Sequence, residues 1–427
     1  MKLALINPPW TFDGSIYFGC REPHLPLELG CARLLLEEHG HDVLMLDGHL
    51  LGLDEAEIAG RTLSFCPDMV VVTTAPTYLF WRCAPPELTV PRRVIRHFTD
   101  AGMTTVAIGP HGSVTPGPAL RKLGASITLR GEPEEALVEL ADAGSPDSIL
   151  GAAWLEQGQL RLNGGPRMAA FTEMAPLAWP DDWIARHRHH HHRFDREPEA
   201  PGAEVEASRG CPYSCSFCAK IDYRDHYRRR RLDLLLAEID GLIAQGVRYI
   251  YFIDEIFLPW RQLLDQLCRR PIEFGVQTRI DLWKPGMLDL LGEAGCVSVE
   301  AGVESLTEQG RAALDKECRL ATEELTELLI HARGTIPFVQ ANLIGSPDDN
   351  PEAIAAWRQH LQGHGVWAND PVPLFPYPSS PDYRRVWGEP DDYAWERAHA
   401  YYLKQFARFS DIQETRPLPL PELEAAD

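Results

Sequence analysis

Positive charge and long apolar runs are both scarce in this chain. Its 427 residues contain 41 Lys and Arg against 62 Asp and Glu, which gives a formal net charge of −21. This imbalance argues against nucleic acid or an anionic membrane as a general partner, although Arg224–Arg231 forms a local basic patch. No apolar run is long enough to span a membrane, and Met1–Pro9 is typical of a short strand and not of a signal peptide. We therefore expect a cytoplasmic protein with no nucleic-acid or membrane partner.

The cysteines are the most informative residues that are present. In an unexported chain, ten cysteines indicate thiols and metal ligands and not a disulfide framework. Seven are scattered and are expected to be mostly small core residues: Cys20, Cys31, Cys66, Cys83, Cys268, Cys296 and Cys318. The other three, Cys211, Cys215 and Cys218, form a C-x3-C-x2-C pattern.

Three thiolates on one short loop can hold three irons of a cubane cluster and leave the fourth iron open to a substrate or cosubstrate. The alternative is a zinc loop that lacks one ligand. Structural zinc takes four ligands, and no further Cys or His follows at a matching spacing. The spacing therefore favours a 4Fe–4S cluster with Cys211, Cys215 and Cys218 as its metal ligands.

The same loop carries a family resemblance. Ser208-Arg209-Gly210 precedes the first cysteine and the aromatic Phe217 directly precedes Cys218. With these neighbours, the chain resembles the radical S-adenosylmethionine (SAM) superfamily. The resemblance implies that the open iron chelates the amino and carboxylate groups of SAM, and that one electron then yields a 5′-deoxyadenosyl radical that abstracts a substrate hydrogen. It also implies a small-molecule substrate and a flavodoxin- or ferredoxin-type electron donor.

Residues 1–145 alternate between strand and helix patterns, which predicts a doubly wound parallel sheet. The predicted strands are Lys2–Asn7, Asp42–Asp47, Met69–Thr74, Thr104–Gly109 and Ser126–Arg130, and the predicted helices are Pro26–His39, Val90–Ala101, Pro118–Lys122 and Pro133–Ala143. The region resembles the cobalamin-binding domain that precedes many radical SAM modules. The matching stretches are Asn7–Pro9, His24–Leu27, Gly40–Val43, Gly109–Gly112 and Arg130–Glu134.

Three further regions follow. Residues 146–202 are predicted to be a connector with a hairpin and the histidine run His187–Arg193, which indicates either metal binding or an exposed linker. Residues 203–385 predict six strands with intervening helices, the partial (β/α)6 barrel of radical SAM enzymes. Their predicted bounds are Ala203–Ser208, Tyr249–Ile253, Glu273–Thr278, Cys296–Ala301, Phe338–Ile344 and about Val372–Phe375. A helix over Tyr393–Phe409 and a Pro-rich acidic tail are expected in residues 386–427.

Polar residues at the carboxyl ends of the barrel strands are the candidate SAM contacts, because active groups of such barrels lie there. The resemblance assigns the SAM amino group to Asp254 and Glu255, and the ribose to Glu300, Glu304 and Ser305. Solvated strand ends and structural salt bridges are the respective alternatives. Gln277, Arg279 and Asp281 end the third strand, and the guanidinium fork of Arg279 suits the SAM carboxylate. Asn342 and Gly345 are assigned to the adenine, and Tyr377, Ser379 and Ser380 to the pocket wall.

Whether cobalamin is bound stays open at this point. Asp47–Gly52 reads D-x-H-x-x-G, the pattern whose histidine ligates cobalt in some cobalamin proteins, but His49 follows the second strand and not the first. The bulky run Tyr78–Arg82 after the third strand is able either to fill a corrin site or to form its wall.

Two reactions follow from these alternatives. With cobalamin, the resemblance implies methyl transfer to carbon or phosphorus. Without it, the opening Ile6–Gly30 resembles radical SAM diol dehydratases of apramycin-type aminoglycoside biosynthesis, which act with a partner dehydrogenase. Because the chain is short for a cobalamin methylase and the barrel mouth is acidic, we expect dehydration of an aminosugar diol. A non-enzymatic cobalamin-type sensor is the third alternative.

Overall fold

The computed structural model describes residues 1–16, 22–77, 84–188, 200–405 and 417–425. The first part of the chain forms a seven-stranded sheet in the order β2-β1-β3-β4-β5-β6-β7. Its strands are β1 Lys2–Asn7, β2 Asp42–Asp47, β3 Met69–Thr73, β4 Thr104–Ile108, β5 Ile127–Leu129, β6 Ala152–Glu156 and β7 Gln159–Leu162. The first five strands pair in parallel, as the alternating sequence pattern predicts.

Helices cover both faces of this sheet. They are α1 Leu27–Glu38, α2 Gly48–Leu51, α3 Glu55–Phe65, α4 Thr89–Thr99, α5 Pro110–Val114, α6 Pro116–Leu123, α7 Glu134–Ala143 and α8 Asp181–Arg186. Side chains of β1 alternate between two hydrophobic clusters: Leu3 and Leu5 face one, and Ala4 and Ile6 the other. Helices α1 and α7 contact each other, and so do α3 and α4. The sheet is therefore doubly wound, with its strand-order switch between β1 and β3, where such folds bind ligands.

The hairpin predicted for the connector belongs to the first sheet. Strand β6 pairs antiparallel with β5, and β7 pairs antiparallel with β6. The sheet thus continues beyond residue 145, where the sequence pattern ended the domain. The sequence could not reveal this, because the hairpin pattern does not specify which sheet edge it joins.

The second sheet has six parallel strands in the order β15-β14-β13-β12-β11-β8, so that each strand lies beside the one before it in the chain. These strands are β8 Gly202–Val205, β11 Tyr249–Phe252, β12 Glu273–Thr278, β13 Cys296–Glu304, β14 Phe338–Leu343 and β15 Trp367–Ala368, and a separate two-residue pair is β9 Ser208–Arg209 with β10 Arg228–Arg229. The connecting helices are α9 Leu232–Ala244, α10 Arg261–Leu267, α11 Pro285–Glu293, α12 Glu308–Ala313, α13 Thr322–Arg333 and α14 Pro351–Gly363. This is the predicted partial (β/α)6 barrel.

One barrel strand was predicted at the wrong place. The sixth strand is Trp367–Ala368, and the predicted stretch at Val372 makes only an isolated bridge with Ile344. Its Pro371 and Pro373 neighbours lack the N–H that a continued ladder needs, so pairing does not extend there.

The C-terminal region contains α15 Pro381–Trp387, α16 Ala394–Gln405 and α17 Leu420–Ala425. The helix predicted for Tyr393–Phe409 corresponds to α16, and its last predicted residues lie outside the described ranges. The Pro-rich acidic tail contains α17. Among the described helices, none combines the length and the apolar character that crossing a membrane requires.

Candidate active site

The cysteine loop starts from the β9–β10 pair and depends on a glycine. Gly210 has a φ of +78°, and a Cβ at this position would collide with the backbone carbonyl of His226. Only glycine combines this left-handed conformation with so close a backbone approach. Residue 210 therefore allows the chain to leave β9 and enter the loop of Cys211, Cys215 and Cys218.

Three other segments hold the loop. The Ser216 N–H donates to the Leu314 carbonyl at 2.9 Å, and the Asp382 N–H donates to the Ser216 carbonyl at 2.8 Å. Lys220 Nζ donates to the Cys211 carbonyl at 2.6 Å. Within the loop, the Cys218 N–H donates to the Cys215 carbonyl at 3.1 Å. The loop is thus fixed by the segment after β13, by α15 and by its own C-terminal end.

The three thiols are partly buried and disfavour one another's ionisation. Burial, together with the neighbouring Cys211 and Cys215, raises the pKa of Cys218 to about 12. Burial also raises the pKa of Cys211 and of Cys215. Because their pKa values are raised, these thiols lose their protons more readily when a cation binds them. The set therefore fits a metal cluster, which binds the thiolate form.

In the described ranges, no three His, Cys, Asp or Glu side chains are gathered as a single metal ion would need. A cubane cluster does not need three ligands around one ion, because each thiolate binds a separate iron.

Arg279 presents a free donor beside this loop. Its guanidinium lies 4.1 Å from the ring centre of Tyr213, which stands between Cys211 and Cys215 in the chain. Its Nε and Nη2 donate to the two carboxylate oxygens of Asp281 at 3.1 and 2.8 Å. Nη1 is buried and has no hydrogen-bond partner among the described residues. A buried, unpaired guanidinium donor fits an incoming carboxylate, while Asp281 orients the arginine.

A buried lysine that the sequence analysis missed lies near Cys215. Lys316 is 2% exposed, and its Nζ donates to Glu304 Oε1 at 3.0 Å. Glu304, Asp315 and Glu317 have φ values of +69°, +49° and +53°. Non-glycine residues adopt this left-handed conformation at a cost, and such strain is concentrated at functional sites. No periodicity or motif in the sequence distinguished Lys316 from the other lysines.

The remaining predicted contacts at the mouth divide into two groups. Gln277 Nε2 donates to Glu300 Oε2 at 2.8 Å, which links the end of β12 to the middle of β13. Ser305, by contrast, donates through Oγ to Asp349 Oδ1 at 2.8 Å and is fully buried. Ser305 therefore supports the backbone after β13.

The β14 end is also engaged within the fold. Gln340 and Asn342 hydrogen-bond to each other through their side chains. The Gly345 N–H donates to the Val372 carbonyl at 2.7 Å, and a Cβ on Gly345 would lie 3.4 Å from that oxygen. The close approach at Gly345 is thus to the protein's own backbone.

Asp254 and Glu255 differ from the expectation that both face the SAM amino group. Asp254 is buried and accepts from the Ala207 N–H at 2.8 Å and from Ser208 Oγ at 2.5 Å; burial raises its pKa to about 8. Glu255 accepts from the Gly210 N–H at 2.9 Å. Both carboxyl groups lie against the chain that leads into the cysteine loop, and they hold that chain in place. Phe217 lies within the loop and is partly buried.

A narrow cleft lies among residues that follow β4, the cysteine loop and β15. Its wall is apolar and aromatic, and includes Pro110, Ala219, Tyr223, Tyr377 and Trp395. Ser379 also lines it and donates through Oγ to the Ala219 carbonyl at 3.1 Å. Ser380 instead caps α15 by accepting from the Tyr383 N–H at 3.2 Å. The interior space of the cleft, about 20 Å³, has room for about one water molecule, so the cleft would have to widen to admit an organic ligand.

The carboxyl edge of the first sheet is covered by the chain's own C-terminal region. Trp395 donates through Nε1 to Thr115 Oγ1 at 3.0 Å, and its ring centre lies 4.5 Å from that of His111. Thr89 Oγ1 donates to the Leu423 carbonyl at 2.8 Å. The Leu418 N–H donates to the Gly14 carbonyl at 2.8 Å. The described residues of the loops after β1, β3 and β4 therefore contact the C-terminal region.

α16 and residues 417–425 thus lie at the edge where a sheet of this kind would hold a corrin, and parts of the loops after β1 and β3 lie outside the described residues. The run Tyr78–Arg82, which we expected to fill or form the wall of such a site, lies outside the described residues. His49 lies on α2 beside the edge strand β2, and burial lowers its pKa to about 4. Asp47 caps α2 by accepting from the Leu50 N–H at 3.0 Å. The D-x-H-x-x-G pattern is thus a helix start here.

The histidine run is described only at its beginning. His187 is 1% exposed, its Nδ1 lies 2.6 Å from the Gly202 carbonyl, and its Nε2 lies 3.3 Å from Glu204 Oε2. Residue 187 is therefore part of the core and not of an exposed linker. Residues 189–193 lie outside the described ranges.

Comparisons with known proteins agree with this architecture. Residues 205–361 match the model of the Radical SAM superfamily. An uncharacterised methyltransferase of Pyrococcus horikoshii is 26% identical over 376 residues, which cover 83% of this chain and 76% of the relative. The hopanoid C-3 methylase of Methylococcus capsulatus is 25% identical over 444 residues, covering 99% of this chain and 78% of the relative.

Two solved structures share the fold. The radical SAM methyltransferase TsrM of Kitasatospora setae, with tryptophan and a SAM analogue bound, has a TM-score of 0.71 at 18% identity and covers 90% of this chain and 76% of its own. The cobalamin-dependent enzyme OxsB has a TM-score of 0.62 at 17% identity and covers 80% of this chain and 49% of its own. The resemblance to diol dehydratases stays a prediction. The cysteine loop and the parallel barrel lie within or beside residues 205–361, which match the radical SAM model, and a domain of this kind binds a 4Fe–4S cluster and SAM.

Proposed function

We propose that the protein is a radical SAM enzyme that transfers a methyl group to a small molecule with an apolar face. Cys211, Cys215 and Cys218 hold the 4Fe–4S cluster, which when bound supplies the electron that splits SAM. The observation that carries this proposal is the three-cysteine loop beside the unpaired donor of Arg279. Methyl transfer is favoured over the expected dehydration because two of the long relatives are a methyltransferase and a methylase.

The residues at the barrel mouth have separate tasks in this proposal. Arg279 binds the SAM carboxylate through Nη1, because that donor is buried and its other donors are committed to Asp281. Glu304 and Glu300 accept hydrogen bonds from the ribose hydroxyls. Lys316 and Gln277 hold these two carboxylates in position.

The side chains that line the cleft favour one substrate class once the cleft has widened. Tyr223, Tyr377 and Trp395 present aromatic surface, and Pro110 and Ala219 add apolar surface. Such a wall favours a flat or apolar group and offers no carboxylate to a polycationic aminosugar. Ala219 directly follows Cys218 in the chain, so a ligand in the cleft lies close to the cysteine loop.

One observation favours a second candidate, radical dehydration of a diol without cobalamin. The carboxyl edge of the first sheet is packed against Trp395, Leu418 and Leu423. If that edge stays closed, the first sheet acts as a scaffold, and the cleft alone receives the substrate.

The products of SAM distinguish the two candidates. We would reconstitute the protein anaerobically with iron and sulfide, with and without hydroxocobalamin, add SAM, a reductant and a panel of apolar and polyhydroxylated substrates, and quantify S-adenosylhomocysteine and 5′-deoxyadenosine. Methyl transfer consumes a second SAM as methyl donor and leaves S-adenosylhomocysteine beside the 5′-deoxyadenosine of the radical step, whereas dehydration yields 5′-deoxyadenosine without it. Iron and cobalt contents after incubation with hydroxocobalamin and desalting are measured on the same sample. Absence of both products with every substrate, in a sample with a full iron content, would refute the proposed activity.

A further inference from the structure

A buried network of charged side chains connects the first sheet domain to the cysteine loop. Its members are Glu28, Glu132 and Glu134 from the first domain, with Glu206, Arg209, Arg224 and Glu255 from the barrel part of the chain. Arg209 and Arg224 are both 0% exposed. Charged groups are rarely buried unless paired, because removing them from water costs several kcal/mol per ion.

The first connection runs through Arg209, two residues before Cys211. Arg209 Nη1 donates to Glu134 Oε1 at 2.6 Å, and its Nη2 and Nε donate to Glu206 Oε2 at 2.7 and 3.0 Å. The guanidinium also lies 4.5 Å from the ring centre of Phe171. Glu134 is the first residue of α7, so the start of this helix directly contacts the residue that leads into the loop.

The second connection runs through Arg224, which follows the loop. Its Nη1 lies 2.5 Å from Glu206 Oε1 and 3.4 Å from Glu255 Oε1. On the other side, its Nη2 lies 3.6 Å from Glu28 Oε1 and its Nε lies 3.7 Å from Glu132 Oε1. Glu255 Oε2 accepts from the Gly210 N–H at 2.9 Å. Carboxylates of the first domain are therefore connected to the backbone of Gly210 through Arg224 and Glu255.

We infer that Arg209 and Arg224 are positioning residues through which the first domain fixes the cysteine loop. Both ends of the loop are held: Arg209 precedes it and Arg224 follows it. A buried ion pair is weak evidence for stability, because apolar residues of similar volume often serve as well. The placement of these pairs on the two flanks of one loop suits a positional task. The link to iron depends on the proposed function, while the positional effect itself does not.

The test separates position from stability by hydrogen exchange in the full chain without iron. In Glu134→Gln, Arg209 loses a charged partner, and we expect amides of residues 210–218 to exchange at least tenfold faster. In the double variant Arg209→Met/Glu134→Leu, no charge of this pair is left buried alone, and Glu206 keeps Arg224. We expect the urea midpoint to return most of the way to that of the original protein while the loop still exchanges fast.

Recovery of both the midpoint and the slow exchange in the double variant would overturn the inference, because the pair would then act as ordinary packing. The matched control is Arg121→Ala, which breaks the exposed pair with Asp392 that also joins the first domain to the C-terminal region. Faster exchange of residues 210–218 in Arg121→Ala would also overturn the inference, because weakening any contact of the first domain would then be enough to loosen the loop.

A second readout uses the iron-loaded protein. We expect the double variant to alter the electron paramagnetic resonance signal of the reduced cluster and to lower kcat for SAM cleavage at least tenfold, with KM for SAM within about twofold. An unchanged signal and kcat would contradict the inference. If the original protein binds no iron, the proposed function fails, but the exchange experiment still decides the positional role.

Discussion

The two parallel sheets of this protein place very different chemistry at the same kind of edge. At the barrel's carboxyl edge, Arg279 and Glu304 stand near the cysteine loop, and one Arg279 donor has no hydrogen-bond partner in the described part of the chain. At the carboxyl edge of the first sheet, residues of the C-terminal region such as Trp395 and Leu418 contact and cover the loops. The fold determines where a ligand is able to bind in an open α/β sheet. The side chains at each edge determine whether one does, and with which chemistry.

The largest effect of a substitution is expected at the cysteines beside the barrel edge. We expect Cys215→Ala to lose cluster iron and to reduce 5′-deoxyadenosine formation to background, because one iron loses its protein ligand. Iron analysis and product quantification measure this effect. Cys268→Ala, which changes an exposed cysteine at the end of α10, should leave both unchanged. Retained SAM cleavage in Cys215→Ala would show that the barrel edge is not a cluster site.

Removing the cover of the first sheet should mainly cost stability. Trp395→Ala removes a side chain that is 6% exposed, and we expect a loss of about 3–5 kcal/mol of unfolding free energy in urea. Tyr401→Ala, on the same helix at 42% exposure, should change it by no more than about 0.5 kcal/mol. A loss below about 1 kcal/mol for Trp395→Ala would mean that this edge is not closed by the C-terminal region in solution.

A pH dependence should come from the side where the two domains meet. Burial raises the pKa of Glu28 from 4.5 to about 7, so folding favours its protonated form. The stability gained in this way is fully present below pH 4.5 and is lost as the pH rises through about 7. At 1.36 kcal/mol per pKa unit, the loss is about 3 kcal/mol.

The variant Glu28→Gln should lack this loss, and urea unfolding at several values between pH 4.5 and 8 compares it with the original protein. Glu37→Gln, at an exposed position of the same helix, is the control. Parallel pH profiles for the original protein and Glu28→Gln would contradict the assignment.

The smallest of these effects should be on SAM affinity. Arg279→Ala removes the unpaired donor, and a charged hydrogen bond contributes roughly 2 kcal/mol, so KM for SAM should rise about 30-fold. Arg279→Lys keeps the charge but not the forked guanidinium, and its KM for SAM should lie between those of the original protein and Arg279→Ala. Arg270→Ala breaks a pair with Asp240 that lies outside the mouth and should leave KM unchanged. A KM that is equally unaffected in Arg279→Ala would show that another group receives the carboxylate.

Sequence periodicity predicted most strands because buried β-branched runs such as Met69–Thr73 have few alternatives. The cysteine spacing predicted the cluster loop, and the end of the third strand predicted Arg279 as a candidate site residue. The sequence could not reveal hydrogen-bond partners that are distant along the chain. Asp254 and Glu255 have the positions of carboxylates at the barrel mouth. Their oxygens accept hydrogen bonds from Ala207, Ser208 and Gly210 instead. Lys316 was missed for the same reason, since its role depends on a contact with Glu304 and on two left-handed neighbours.

The hairpin of β6 and β7 has a practical consequence for dividing the protein into fragments. A fragment that stops at residue 145 would leave the whole edge of β5 without its antiparallel neighbour. Unpaired strand edges recruit other chains, so such a fragment should self-associate. A fragment that runs to residue 170 keeps both hairpin strands and the bridge between Gly131 and Arg167, and should stay dispersed. The limits of the first folding unit are thus set by edge protection and not by the end of the alternating pattern.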